Sequence, residues 1–183
     1  MSTPPPSTLR EPHSSRVPAS RQAFVAVGLL VVVTAIAVLG SLATVPNVRG
    51  WYAEAEKVAW NPPGWVFGPA WSLLYLMIAL AGFLLWRAGR TRALPPDHGL
   101  RTAYVAQLAL NVLWTPVFVA GYPLIGATAW WIAMGVLLAL IISVAVLIPL
   151  AARRSRTSAA LLAPYLLWLL FAATLNAGII ALN

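Results

Sequence analysis

Tryptophan, tyrosine and the carboxamides recur in this chain at helical spacings. Trp71, Tyr75, Ala79, Gly82 and Trp86 follow one another at three and four residues, as do Gln107, Asn111, Trp114 and Phe118, and again Tyr165, Trp168, Ala172 and Asn176. Residues three and four apart share one face of a helix, so each set forms a stripe. Indoles and phenols offer flat apolar surface with one polar handle, and offset stacking adds about 0.5–1.5 kcal/mol per ring beyond area burial. Several such rings suffice to hold a broad planar guest without any formal charge. The same stripes could instead fill a helix-bundle core, with Gln107, Asn111 and Asn176 as inter-helix hydrogen-bond glue. Spacing alone leaves both readings open for Trp71, Trp114 and Trp168. Trp86, Trp130 and Trp131 read as aromatic-belt residues at a membrane–water interface.

A second concentration of rings lies outside those stripes. Trp51, Tyr52, Trp60 and Trp65 fall within fifteen residues, with Pro62-Pro63 among them. A solvated loop has no use for three tryptophans. A lid over the mouth of a bundle does, and the diproline limits the entropy lost when it orders. Arg49 and Lys57 are the cations of this segment, placed either to pair with acidic groups on the rim of a ligand or to snorkel at the interface.

What the sequence lacks narrows the chemistry further. It has no cysteine, which removes disulfides, thiolate metal sites and thiol nucleophiles. Its two histidines, His13 and His98, fall in the N-terminal tail and a connecting loop. No acidic, basic or histidine side chain lies within any predicted span, so intramembrane proton relays, haem-ligating histidines, catalytic triads and carboxylate pairs are not expected there. No metal site and no required cofactor is expected.

The elements that must carry the stripes follow from the charges. Of 183 residues, 61% are hydrophobic and 9% charged, against about a quarter charged in soluble domains. Residues 22–48, 58–86, 102–152 and 157–183 contain no Asp, Glu, Lys or Arg, and together make up 134 residues. Spanning a bilayer core takes about 20 apolar residues. The 51-residue run holds two spans, broken at Gly121-Tyr122-Pro123. The expectation is an all-α membrane protein, a five-helix transmembrane bundle with helices at about 24–45, 65–86, 102–120, 126–150 and 158–182. Residues 1–22, rich in Pro, Ser and Arg, read as a disordered tail preceding a single domain over 23–183.

The arginines sort by side. Arg10, Arg16, Arg21, Arg87, Arg90, Arg92, Arg101, Arg153, Arg154 and Arg156 fall on one side of a five-span topology, and Arg49 and Lys57 on the other. The positive-inside rule then places the N-terminus in the cytoplasm and the C-terminus outside, with a bacterial inner membrane expected. It also accounts for the net charge of +8 without nucleic acid as a partner, because the charges sit in connections rather than on a folded basic face.

Three blocks carry a resemblance. Trp51-Tyr52, Lys57-x-x-Trp60-x-Pro62-Pro63-x-Trp65-Val66-Phe67-Gly68-Pro69-x-Trp71-x-x-Leu74-Tyr75 resembles the signature of the TspO/MBR family, the tryptophan-rich sensory proteins related to the mitochondrial translocator protein. Gln107-Leu108-Ala109-Leu110-Asn111-x-x-Trp114-x-Pro116-x-Phe118 is similar to its third-helix motif, and Pro164-Tyr165-Leu166-x-Trp168-x-x-Phe171-Ala172-x-x-Leu175-Asn176 to its fifth-helix motif. The resemblance implies a five-helix bundle, commonly a homodimer, whose cavity is closed by the loop between the first two spans and takes porphyrins such as protoporphyrin IX or haem. It implies a role in tetrapyrrole transport, sensing or scavenging, or, in the alternative, light- and oxygen-dependent porphyrin breakdown at Trp71 and Trp168. Trp60, Trp65, Tyr75, Asn111, Trp114 and Ala172 match further cavity positions. Trp51, Phe118, Tyr165 and Asn176 complete the expected ligand set, with Arg49 and Lys57 expected to pair with propionates. The block ending Phe118-Val119-Ala120-Gly121 departs from the family in lacking a second aromatic before the glycine. No Lys or Arg follows Tyr165, so the sterol-recognition pattern of animal relatives is absent there.

Overall fold

The computed structural model describes residues 17–92 and 94–183. Five helices in it are long and apolar enough to cross a membrane. They are α1 (Ala19–Val48), α3 (Phe67–Thr91, entered through a 3-10 turn at Gly64–Val66), α4 (His98–Ala120), α6 (Thr128–Arg154) and α7 (Arg156–Leu182). Two single-turn helices, α2 (Trp51–Glu54) and α5 (Tyr122–Ile125), sit in the connections at one end.

Most of these helices outrun the charge-free segments. The α3 helix continues past Arg87 and Arg90, and α4 begins at His98, because arginine is a good helix former and a helix need not end where the lipid does. The first helix starts at Ala19, inside the stretch read as a disordered tail; the rest of that reading, residues 1–16, lies outside the described residues. It also runs through Pro46, past the expected end near residue 45. A proline in the last turn removes one ladder bond and leaves the rest intact. Asp97 caps α4 by accepting from the Leu100 N–H at 2.9 Å, and Ser155 caps α7 by accepting from the Ser158 N–H at 3.2 Å.

The spans pack as a closed ring in the order α1, α3, α7, α6, α4 and back to α1. The tightest seam belongs to α6, where Ala133, Leu137, Leu140, Val144, Leu147 and Ala151 are completely buried. Their alternating spacing of four and three is that of a coiled-coil seam. The outward faces carry exposed aliphatics such as Leu73, Leu76, Leu80, Val105 and Ile142, as contact with lipid requires. By contrast, only Val33 and Ile36 of the thirty residues of α1 are buried. At the α5–α6 turn the chain reverses through Gly126, whose φ of 61° belongs to the left-handed region open to glycine.

A phenol–amide–phenol chain crosses the middle of the ring. Tyr75 on α3 donates to Asn111 Oδ1 at 2.9 Å, and Asn111 Nδ2 donates to Tyr165 Oη on α7 at 2.8 Å. With few other polar groups in the hydrocarbon zone, these bonds fix the depth of three spans relative to one another.

Candidate ligand cavity

The strap between α1 and α3 is fastened on two sides. Trp51 donates its indole N–H to the Val119 carbonyl at 3.0 Å. Its ring packs on Tyr122 at 4.5 Å between centroids and on Trp130 at 5.4 Å, while Tyr122 and Trp130 stack at 4.6 Å with 5° between their planes. On the other side, the Glu56 N–H donates to Asn183 Oδ1 at 2.9 Å, and Asn183 Nδ2 returns a bond to the Glu56 carbonyl at 3.0 Å. The Trp60 indole N–H donates to Thr174 Oγ1 at 3.2 Å. Val58 rests directly on Gly178, where any Cβ would collide with it. Between the anchors, the Tyr52 hydroxyl donates to Asn61 Oδ1 at 3.3 Å. Burial pushes the Tyr52 phenol above the usual tyrosine range, with the Asn61 bond opposing, so it stays neutral at physiological pH.

Beneath the strap lie two chambers. The larger, about 780 Å³, is walled by α1 (Ala37, Gly40, Ser41, Thr44, Val45, Val48), α3 (Phe67, Gly68, Trp71, Ser72, Tyr75) and α4 (Trp114, Thr115, Phe118, Val119), and roofed by Tyr52, Ala53, Lys57 and Asn61-Pro62-Pro63-Gly64. The smaller, about 50 Å³, adds a wall from α7: Trp168, Phe171, Ala172, Leu175, Asn176 and Ile179. Five ring residues line both: Tyr52, Phe67, Trp71, Trp114 and Phe118. Trp71 is the hub of this partition, 6.1 Å from Trp114, 5.4 Å from Tyr75 and 6.5 Å from Trp168 between ring centroids.

The expected site residues divide accordingly. Trp71, Tyr75, Trp114, Phe118 and Lys57 line the large chamber, and Trp168, Ala172 and Asn176 only the small one. Asn111 and Tyr165 line neither; their polar atoms are spent on each other and on Tyr75, behind the wall. Trp51 is also outside both, because its ring is committed to the Tyr122–Trp130 stack. Trp60 is 60% exposed and Trp65 76% exposed, and Arg49 is exposed and borders neither chamber. Trp130 and Trp131 are not a pair of belt residues: Trp130 is 3% exposed under Tyr122, whereas Trp131 is 64% exposed. About 100° of helix rotation separates neighbouring residues, which turns one indole inward and its neighbour outward.

The wall supplied by α1 was not anticipated. Its signal was present as Ala37, Gly40, Ser41 and Thr44, small residues at helical spacing in an otherwise bulky aliphatic span. Of the cavity-lining side chains Lys57 alone is charged. Its ammonium donates to the Ala55 carbonyl at 2.8 Å and the Ala53 carbonyl at 3.3 Å, and sits 4.9 Å from the centre of the Tyr52 ring. No carboxylate pairs with it among the described residues, where the one ion pair is Arg154–Asp97 at the far end. Nor do the described residues contain a His, Cys, Asp and Glu cluster able to hold a metal. The chambers can stack, solvate and orient a guest, and the titratable side chains on their walls are Lys57 and the phenols of Tyr52 and Tyr75.

Comparison with known proteins agrees with this architecture. Residues 27–182 match the TspO/MBR family. The chain is 37% identical over 158 residues to the tryptophan-rich protein TspO of Archaeoglobus fulgidus, covering 86% of this chain and 95% of that one. It is 37% identical over 132 residues to the human translocator protein, covering 69% and 70%. It is 35% identical over 133 residues to the tryptophan-rich sensory protein of Cereibacter sphaeroides, covering 73% and 77%.

Proposed function

From the premise that this chain belongs to the TspO/MBR family and is an integral, multi-pass membrane protein, we propose that it binds a tetrapyrrole, protoporphyrin or haem, in the larger chamber and acts in its transport, sensing or scavenging. The observation that carries this reading is the chamber itself. At about 780 Å³ it falls in the 300–1,000 Å³ range of small-molecule sites, and its walls are rings and small residues with one cation at the roof. A flat macrocycle would stack against Trp71, Trp114 and Phe118, with a propionate at the remaining donor position of Lys57. The arginine-rich end faces the cytoplasm in this reading, in a bacterial inner membrane.

Titration of the purified protein with protoporphyrin IX tests the reading. Saturable quenching of tryptophan fluorescence, abolished by filling the chamber, is expected; no quenching at micromolar porphyrin would refute it. A second reading, oxidative breakdown of porphyrin in light and air, draws on the edge-to-face contact of Trp71 and Trp168, whose planes meet at 84°. Illumination of the complex should then give a new absorbing product that Trp71→Phe abolishes, and an unchanged spectrum would dismiss it. Assembly as a homodimer is part of the proposal, through the α4 face bearing Ala106 and exposed Ala109; Ala103 packs inward. Cross-linking in membranes that yields monomer alone would remove it.

A further inference from the structure

The small chamber combines an apolar wall with unmet polar groups. Asn176 is 1% exposed, yet neither its carboxamide oxygen nor its nitrogen has a hydrogen-bond partner. Trp114, on the wall of both chambers, also leaves its indole N–H unpartnered. Asn111 provides the contrast. It is the same residue type, 2% exposed, and the fold supplies a tyrosine for each end of its amide. Asn176 has no such partner and lines the small chamber instead. Gln107, Ser158 and the Trp130 indole N–H are unpartnered too, but these residues border neither chamber.

A carboxamide offers two donors and an acceptor with two lone pairs, and an indole one donor. Left unmet in the hydrocarbon zone, such groups are costly, so they favour any guest that completes them. The guest's group cannot be a carboxylate: the small chamber has no cation, and a buried anion there would stand uncompensated. It must also be small. A water-sized sphere needs roughly 10–15 Å³ of such space, so about 50 Å³ admits a group of about three heavy atoms.

Resting on the tetrapyrrole reading, we propose that the small chamber is a neutral polar subsite of the ligand pocket, in which Asn176 and the Trp114 indole N–H receive an uncharged carbonyl carried by the guest. The two chambers then read the guest from opposite edges. Lys57 at the roof takes the carboxylate edge, and Asn176 behind the ring partition takes a formyl or acetyl substituent on the other. The preferred substrate class is therefore a porphyrin with a neutral carbonyl on the edge away from its propionates, rather than one with hydrocarbon substituents there.

A matched pair of probes tests this. Protoporphyrin IX carries vinyl groups on the edge away from its propionates, and diacetyldeuteroporphyrin carries acetyl groups in the same places. Wild-type protein titrated with each, read by tryptophan quenching, should bind the acetyl compound about three- to tenfold more tightly. That ratio should fall to near one in Asn176→Leu, and should fall in Trp114→Phe, which keeps a ring and drops the N–H. Equal affinities in the wild type would overturn the subsite while leaving tetrapyrrole binding intact, as would a preference that survives Asn176→Leu. Binding of neither compound would overturn the tetrapyrrole reading and the subsite with it. The wild-type comparison requires no variant, so a substitution that failed to fold would not remove the test.

Discussion

Replacing Asn111 with leucine should cost the bundle stability without removing a ligand contact. The side chain is 2% exposed and bridges Tyr75 and Tyr165 through bonds of 2.9 and 2.8 Å. Leucine has similar bulk and, among lipid-solvated helices, gains nothing from the hydrophobic effect, so the balance rests on the lost bonds and the phenols left behind. A buried unmet polar group costs about 1–3 kcal/mol, or about 2–6 for two. Inter-helix hydrogen bonds in membranes average nearer 0.6 kcal/mol each, because separated helices find other partners. Tyr165 is wholly enclosed, but Tyr75 borders the large chamber and can turn toward it. The expected loss is therefore about 1–3 kcal/mol, measured as equilibrium unfolding in mixed detergent micelles by circular dichroism. Porphyrin affinity of the folded fraction should fall far less than in Trp71→Ala. A variant as stable as the wild type that loses ligand as completely as Trp71→Ala would show the amide to be a direct ligand contact and refute the assignment.

Three further substitutions probe the cavity and its strap. Gly40→Leu places a Cβ at ordinary contact distance, 3.8 Å from the Thr115 side chain, and the rest of the side chain in the large chamber; protoporphyrin affinity should drop at least about tenfold with the fold retained, and unaltered affinity would mean the guest sits elsewhere. Lys57→Met keeps the apolar stem and removes the charge; the wild type should prefer protoporphyrin over its dimethyl ester by about two- to fivefold, and the variant should not distinguish them in titrations. Gly178→Ala collides with Val58 and should lift the strap, giving faster ligand release in stopped-flow experiments, with Val58→Ala in the same molecule restoring the slower rate; an unchanged rate in Gly178→Ala would show that the strap does not gate the cavity.

Much of this architecture is written in the distribution of charge. Runs without Asp, Glu, Lys or Arg mark all five spans, and Gly121-Tyr122-Pro123 marks the break between two of them, because burial in lipid forbids charge and a tight reversal needs glycine and proline. Helix ends were less legible, since Arg87, Arg90, Arg153 and Arg154 extend helices beyond the apolar zone. The stripes on α3, α4 and α7 do converge, as their periodicity requires. Periodicity, however, gives the face of a helix and not the depth at which a side chain meets its neighbour. It could not distinguish Asn111, partnered at both ends of its amide behind the wall, from Asn176, unmet on the lining of the small chamber. It could not show that Trp71 and Trp114 would close the space between two chambers, or that Trp51 would be taken by Tyr122 and Trp130. The contribution of α1 is not legible in the sequence because small residues announce a wall only when a neighbouring helix stands opposite them.

The most direct measurement is a structure of the protein bound to protoporphyrin IX. The macrocycle should lie in the space between α1, α3 and α4, against Trp71 and Trp114, with a propionate at Lys57 and its opposite edge toward Asn176. A macrocycle bound instead on the lipid-facing surface of the helices, with the large chamber empty or collapsed, would contradict the account at its centre.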